Sequence, residues 1–177
     1  MFEKYAMIGT IIRICNGRIK GRKKIQKMIY IAQKLEYPFK ERFSLYRYGP
    51  YSLELAGELK RMGELFLLLE DKRDLSYLIE LTDRGNSFSE NFKNEIISMI
   101  GKKEFIQFEN LIMKLNNLKA WQLEILATLF YFREVEQRDY KLLEDVVAKI
   151  KPRFNPEKIH EMALIMKDLI QKFSLDQ

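Results

Sequence analysis

Cysteine and histidine are almost absent from this chain, which holds only Cys15 and His160 of these types. A lone cysteine cannot form an intrachain disulfide, and a Cys/His metal site needs more ligands than these two residues supply. Cys15 lies in an apolar helical context and reads as a small core residue. His160 has no positioned partner in the sequence, which a general base requires. The sequence therefore predicts no metal, a reducing cytoplasmic setting and no catalysis at these residues.

Long apolar runs and phosphate-binding glycine loops are also missing. No run approaches the roughly 20 apolar residues of a membrane helix, and neither GxxxxGK[ST] nor GxGxxG occurs. The N-terminus does not fit a signal peptide, because Glu3 stands where a basic residue belongs and Arg13 interrupts the apolar run. We expect a cytoplasmic, non-enzymatic protein without a cofactor and without a membrane partner.

The charge is unevenly placed along the chain. Between residues 4 and 34 there are nine basic and no acidic residues: Lys4, Arg13, Arg18, Lys20, Arg22, Lys23, Lys24, Lys27 and Lys34. Since the whole chain carries +6, the remainder carries −3. A basic segment on a mildly acidic body indicates a specific acidic partner more than nonspecific binding.

Two helices are predicted in this basic segment. The first runs from Phe2 to Cys15 and ends at Asn16-Gly17, after which Arg18 to Gly21 forms a short basic connection. The second, Arg22 to Glu36, is amphipathic. Its inner face carries Ile25, Met28, Ile29, Ala32 and Leu35. The opposite, solvent-facing stripe is predicted to carry Lys23, Lys27, Tyr30 and Lys34.

A short helix is predicted after an aromatic extended segment, Phe43 to Tyr48. Gly49-Pro50 breaks that segment, because proline fixes φ and pushes its predecessor away from helix. Ser52 can then cap a helix through its side-chain oxygen. Apolar residues follow at helical spacing in one buried stripe, formed by Leu55, Leu59 and Met62. Gly63 stands where a left-handed helix terminator belongs.

A hairpin and a further helix complete this pattern. Leu65–Leu69 and Leu75–Leu81 are strand-length apolar runs, with Asp71 to Asp74 as a four-residue loop between them. Thr82 caps a helix that runs to Ile100. Helix, hairpin and helix form the closing half of a winged helix-turn-helix, and a generic α+β module is the alternative.

Three more helices follow Leu118, the last opened by Asn155-Pro156-Glu157 in the manner of a capped helix start. We predict a mainly α fold in two units. Residues 1–117 form a winged-helix-like domain with one antiparallel hairpin and appended helices, and residues 118–177 form a C-terminal three-helix unit.

Two surfaces are candidate binding sites. The basic residues could bind phosphates, and free backbone N–H groups at the start of the second helix could donate further hydrogen bonds to them. The nucleic-acid candidates are Arg18, Lys20, Arg22, Lys23, Lys24, Lys27 and Lys34. An ordinary solvated face is the alternative. Against duplex reading, the helix that would enter the major groove exposes Glu54 and Glu58.

The second candidate surface is the aromatic set Tyr46, Tyr48 and Tyr51 around Gly49-Pro50. Tyrosine combines apolar area with a polar tip, which is common in protein interfaces. The alternative is that two of these rings pack under the turn. The sequence therefore also allows a protein-interaction role for this turn.

Three segments carry a family resemblance: RKKIQKMIYI at residues 22–31, YGPYS at 48–52 and KPRF at 151–154. Together they resemble the YwgA family of uncharacterised bacterial proteins. The KIQK…Y and YGP pieces are also similar to the Panacea domain of SocA-type antitoxins, which acts through protein contacts. The resemblance implies a winged-helix-like body with no established reaction and assigns no catalytic residue.

Our first hypothesis is a non-enzymatic regulator that binds nucleic acid through the basic second helix. The alternative is a protein-interaction adaptor, or an antitoxin-like module, that uses the Tyr-Gly-Pro-Tyr turn.

Overall fold

A computed structural model describes residues 2–73, 76–133 and 139–175. In these ranges the chain forms nine helices and five short strands, so the predicted mainly α fold is confirmed. In chain order they are α1 (Phe2–Ile14), β1 (Arg18–Lys20), α2 (Arg22–Lys34), β2 (Ser44–Tyr46), β3 (Gly49–Tyr51), α3 (Leu53–Glu64), β4 (Leu68–Arg73), β5 (Ser76–Leu81), α4 (Asp83–Asn91), α5 (Lys93–Ile100), α6 (Lys102–Asn116), α7 (Ala120–Arg133), α8 (Tyr140–Ile150) and α9 (Pro156–Phe173). No helix in the described ranges is both long and apolar enough to cross a bilayer.

The main sheet is antiparallel, with strand order β1-β5-β4. The predicted connection after α1 is therefore wrong, because its middle residue Ile19 is buried in a strand and lies opposite Ile79 of β5. The predicted loop at Asp71 to Asp74 is also too long. Strand β4 continues through Asp71 to Arg73, which pairs with Ser76, while residues 74 and 75 lie outside the described ranges.

Both predicted caps are confirmed. The Ser52 hydroxyl oxygen accepts a hydrogen bond from Leu55 N at 3.1 Å, and that of Thr82 accepts one from Gly85 N at 3.0 Å. Such caps satisfy backbone donors that the first turn of a helix leaves without intrahelical partners.

Gly63 does not terminate α3, which continues to Glu64. The left-handed residue is Phe66, with φ of 56°. Leu67 N donates to Met62 O, and Phe66 N to Gly63 O, both at 2.9 Å. These are the two bonds of a Schellman motif, which brings Leu67 back into the core.

The long helix predicted after Thr82 is two helices, α4 and α5, separated at Phe92. The predicted exposure of Glu58 on α3 is likewise wrong. Its side chain is buried and accepts a hydrogen bond from Nζ of Lys4 in α1 at 3.1 Å.

Helix α2 is the central element, and it contacts β1, β3, α6 and α7. Every residue from Ile25 to Ala32 is buried. The predicted solvent-facing stripe is therefore wrong at Lys27 and Tyr30, which are 3% and 1% exposed. Helix α7 and the β2–β3 hairpin cover the side of α2 that the amphipathic pattern assigned to solvent. The predicted division near residue 117 remains a prediction.

Candidate functional site

A cleft of about 420 Å³ opens where the start of α2 meets the β2–β3 turn, α7 and the α8–α9 connection. We call it the basic cleft. Its lining residues are Lys23, Lys24, Lys27, Tyr48, Ala120, Trp121, Leu123, Glu124, Arg153 and Phe154. Four of these described residues are cationic at neutral pH and one is acidic, so the lining has a net positive charge.

A tight hairpin turn positions Tyr48 in this cleft. Gly49 follows it with φ of +86°, a backbone conformation that glycine adopts without strain. A Cβ atom at Gly49 would also lie 3.1 Å from Thr128 Oγ1 of α7. The glycine therefore allows both the turn and its close approach to α7.

Three cationic side chains lie close to the ring of Tyr48 at the rim of the basic cleft. Lys23 Nζ lies 3.4 Å from its centroid, Arg153 Cζ 5.2 Å and Arg47 Cζ 5.6 Å. Cation–π attraction at such distances holds these side chains near the cleft. Positive charge is thus concentrated around one aromatic ring.

Two further aromatic rings line the cleft, and both come from the C-terminal half of the chain. The centroids of Trp121 and Phe154 are 6.3 Å apart, and both side chains are half-buried. Lys158 Nζ lies 5.1 Å from the Trp121 centroid. The cleft therefore offers aromatic surface next to cationic groups.

A buried ion pair lies behind the rim. Lys151 Nζ donates to Glu124 Oε1 at 2.9 Å and to the Arg47 carbonyl oxygen at 2.5 Å. Arg153 donates to the same Glu124 oxygen. Glu124 and Lys151 are 7% and 4% exposed. These bonds fasten the hairpin and the α8–α9 connection to α7.

Lys27 is the buried cation of the lining. Its Nζ donates to the Pro50 carbonyl oxygen at 2.5 Å. Burial lowers the pKa of Lys27 to about 8, and repulsion from Lys151 and Lys23 acts in the same direction, while Glu124 opposes the shift. Lys27 is therefore mainly charged at pH 7 and mainly neutral at pH 9.

The predicted nucleic-acid residues do not form one face. Lys23, Lys24 and Lys27 line the basic cleft. Lys24 Nζ also donates to the Asn116 carbonyl oxygen, and its burial lowers its pKa. Lys34 lies farther along α2, where its Nζ is 5.3 Å from the ring centroid of Tyr30.

The remaining three predicted residues lie on or beside the sheet. Arg18 and Lys20 are exposed on β1. Arg22 Nε donates to Glu70 at 2.8 Å, and its guanidinium carbon lies 5.0 Å from the Tyr77 centroid. Arg22 therefore connects the start of α2 to the β4–β5 hairpin.

The three predicted interface tyrosines share one hollow, and Tyr48 also lines the basic cleft. Tyr48 faces the basic cleft, whereas Tyr46 and Tyr51 contact each other edge to face at 5.7 Å. A smaller hollow of about 250 Å³ is lined by all three rings. Tyr46 is 48% exposed.

Sequence reasoning did not assign the half of the cleft contributed by Trp121, Glu124 and Arg153, or the buried Lys151 behind it. One signal was present, because Glu124 interrupts an otherwise apolar helix. A carboxylate at a buried position needs a cationic partner. The partner follows in the KPRF segment.

His160 lies elsewhere and is exposed. Its Nδ1 is 3.1 Å from Glu144 Oε1. Cys15 is buried, as predicted, and burial raises its pKa to about 12. Neither residue lines the basic cleft.

The fold and site define a mainly α protein class with a small antiparallel sheet and a basic, aromatic cleft between helices. No protein-family model matches the chain. It is 32% identical over 161 residues to Uncharacterized protein YwgA of Bacillus subtilis (strain 168). The aligned region covers 88% of this chain and 90% of that protein. The chain belongs to the YwgA family, as the sequence resemblance predicted. Similarity to the Panacea domain remains a prediction.

Proposed function

We propose that this protein is a non-enzymatic, regulatory nucleic-acid-binding protein and that the basic cleft is its binding site. The convergence of cationic side chains with Tyr48, Trp121 and Phe154 supports this proposal. Lysine and arginine bind phosphates, and aromatic rings stack on bases. Unpaired bases are needed for such stacking, so a single-stranded segment suits the cleft better than a duplex.

We infer that the elements from α1 to β5 form a winged-helix-like unit. The order helix, strand, helix, short hairpin, helix, hairpin supports this, with the β2–β3 hairpin as an insertion, as does the pairing of β1 with β5. The second helix of a helix-turn-helix normally enters the major groove. Here that helix is α3, whose exposed side chains mix Glu54 with Lys60 and Arg61. The mixture disfavours duplex reading and favours use of the basic cleft.

The variant Lys23→Ala/Lys24→Ala/Arg153→Ala should bind single-stranded DNA more weakly and with less salt dependence. Each phosphate contact contributes about 0.7 to the slope of log affinity against log salt for single strands. Loss of these cations should reduce the slope by about 0.7 for each phosphate that they contact. Fluorescence anisotropy at several salt concentrations measures both quantities.

The variant Arg18→Ala/Lys20→Ala/Lys72→Ala is the matched control, because it removes three exposed cations outside the cleft lining. It should retain the wild-type slope if the cleft is the binding site. The cleft assignment fails if this control loses as much affinity as the cleft variant. Absence of wild-type binding to single strands at low salt contradicts nucleic-acid binding itself. Thermal melts verify that both variants are folded.

The second candidate function is a protein-interaction adaptor, supported by the exposure of Tyr46 beside Tyr51. The resemblance to Panacea antitoxin domains implies the same kind of role. Exposed aromatic rings next to a hollow are suited to anchoring a partner side chain.

Replacement of Tyr46 by alanine should then abolish the binding of a specific partner while leaving the melting temperature nearly unchanged. Tyr77→Ala is the control, because Tyr77 is an exposed tyrosine on the main sheet. Affinity purification of tagged wild type and both variants, followed by mass spectrometry, measures the effect. The adaptor role is refuted if all three capture the same proteins in the same amounts.

A further inference from the structure

We propose that the basic cleft binds a phosphate monoester next to a nucleobase, and that Lys27 contacts the doubly charged phosphate. This chemistry occurs at a phosphorylated nucleic-acid end and in a free nucleoside monophosphate. The inference rests on the proposed function of the cleft and specifies which part of the ligand enters it.

The cations converge on one place instead of following a track. Lys23 Nζ and Arg153 Cζ both lie within 5.2 Å of the Tyr48 centroid, although they come from opposite halves of the chain. Proteins that bind along a strand distribute positive charge over a groove. A cluster around one ring fits a single phosphate better.

The charge of the lining fits a dianion. The buried Lys151 offsets the charge of Glu124. The four cations of the lining therefore remain to attract an anion. A phosphodiester carries one negative charge, whereas a phosphate monoester carries about 1.5 to 2 at pH 7. The cations of the cleft therefore attract a terminal phosphate monoester more strongly than a phosphodiester within the backbone.

Lys27 is placed to recognise the phosphate. An ammonium group has three N–H donors, and one of them is directed to the Pro50 carbonyl oxygen. Its burial costs free energy that an anion in the cleft would offset. The titratable groups that act on Lys27 or line the same hollows are Lys23, Lys24, Tyr46, Arg47, Tyr48, Tyr51, Glu124, Lys151 and Arg153.

The size and the aromatic wall fit the rest of a nucleotide. A volume of about 420 Å³ lies within the range of roughly 300–1,000 Å³ that is usual for small-ligand sites. Trp121 supplies a half-buried ring on the same opening, on which the adjoining base can stack.

The test uses internally labelled single-stranded DNA with a 5′-phosphate, with a 3′-phosphate or with hydroxyl groups at both ends. Wild type should bind one phosphorylated oligonucleotide at least tenfold more tightly than the hydroxyl-ended one. Lys27→Met should reduce that preference to below threefold. Lys34→Met, which alters an α2 lysine outside the cleft lining, should retain the preference.

A pH series on wild type tests Lys27 without a substitution. The preference for the phosphorylated end should fall severalfold between pH 7 and pH 9, because Lys27 loses its proton while the phosphate is already doubly charged. A preference that is constant over this range overturns the role of Lys27, even if Lys27→Met fails to fold.

The outcomes separate this inference from the proposed function. In one outcome, wild type binds all three strands with equal affinity while the Lys23→Ala/Lys24→Ala/Arg153→Ala variant binds them all more weakly. That result overturns the phosphate-end inference and retains nucleic-acid binding. Competition by adenosine or guanosine monophosphate supports the inference. If these mononucleotides bind and no oligonucleotide does, the monoester site stands and the nucleic-acid function falls. If nothing binds, both fall.

Discussion

Replacing Glu124 with leucine should lower the free energy of unfolding by about 3–5 kcal/mol. The carboxylate accepts hydrogen bonds from Lys151 and Arg153, and Lys151 is almost fully buried. Its removal leaves a buried ammonium group without a counter-charge, which costs far more than the loss of an exposed ion pair. Urea titration followed by circular dichroism measures the change.

Glu144→Leu is the control for this substitution. Glu144 also lies on a helix and contacts a basic side chain, but its partner His160 is exposed. Its replacement should cost less than about 1 kcal/mol. In the double variant Glu124→Leu/Lys151→Met, much of the lost stability should return, because the isolated charge is gone. A loss below 1 kcal/mol for Glu124→Leu alone would show that the pair is solvated.

The second large effect is expected at Leu59, whose replacement by alanine should cost about 2–5 kcal/mol. Leu59 is 1% exposed on the inner stripe of α3, beside Leu55 and Met62. The substitution leaves a cavity where α3 packs on β4. Leu53→Ala is the control on the same helix, since Leu53 is 70% exposed. Similar losses for both variants would contradict the buried position of Leu59.

Local signals made the starts and inner faces of helices predictable. The hydroxyl groups of Ser52 and Thr82 act on backbone donors only three residues away. The stripe of α3 repeats within one helix, so its burial needs only that one side faces the core. Features of this kind depend on neighbouring residues and are readable from the sequence.

Features set by distant parts of the chain were missed or misjudged. Strand β1 has only three residues, too few for a periodic pattern, and exists because β5 pairs with it about sixty residues later. Lys27 was placed on the solvent side of α2 because its spacing fits a polar stripe. Its burial depends on α7, which follows about a hundred residues later and cannot be inferred from the pattern of α2.

The candidate site was half predictable for the same reason. Lys23, Lys24 and Tyr48 drew attention as parts of a basic segment and an aromatic turn. Trp121 and Arg153 did not, because each has an ordinary local context. Only the packing of α7 against α2 and β3 brings the two halves together.

The bond from Lys151 Nζ to the Arg47 carbonyl oxygen spans 104 residues, which has a consequence for biosynthesis. A ribosome makes the chain from its N-terminus, so the hairpin and α2 emerge well before the KPRF segment. Until then Glu124 and Lys151 cannot pair, and the hairpin lacks its bond to Lys151. The basic cleft can therefore take its final shape only after the KPRF segment has been synthesised.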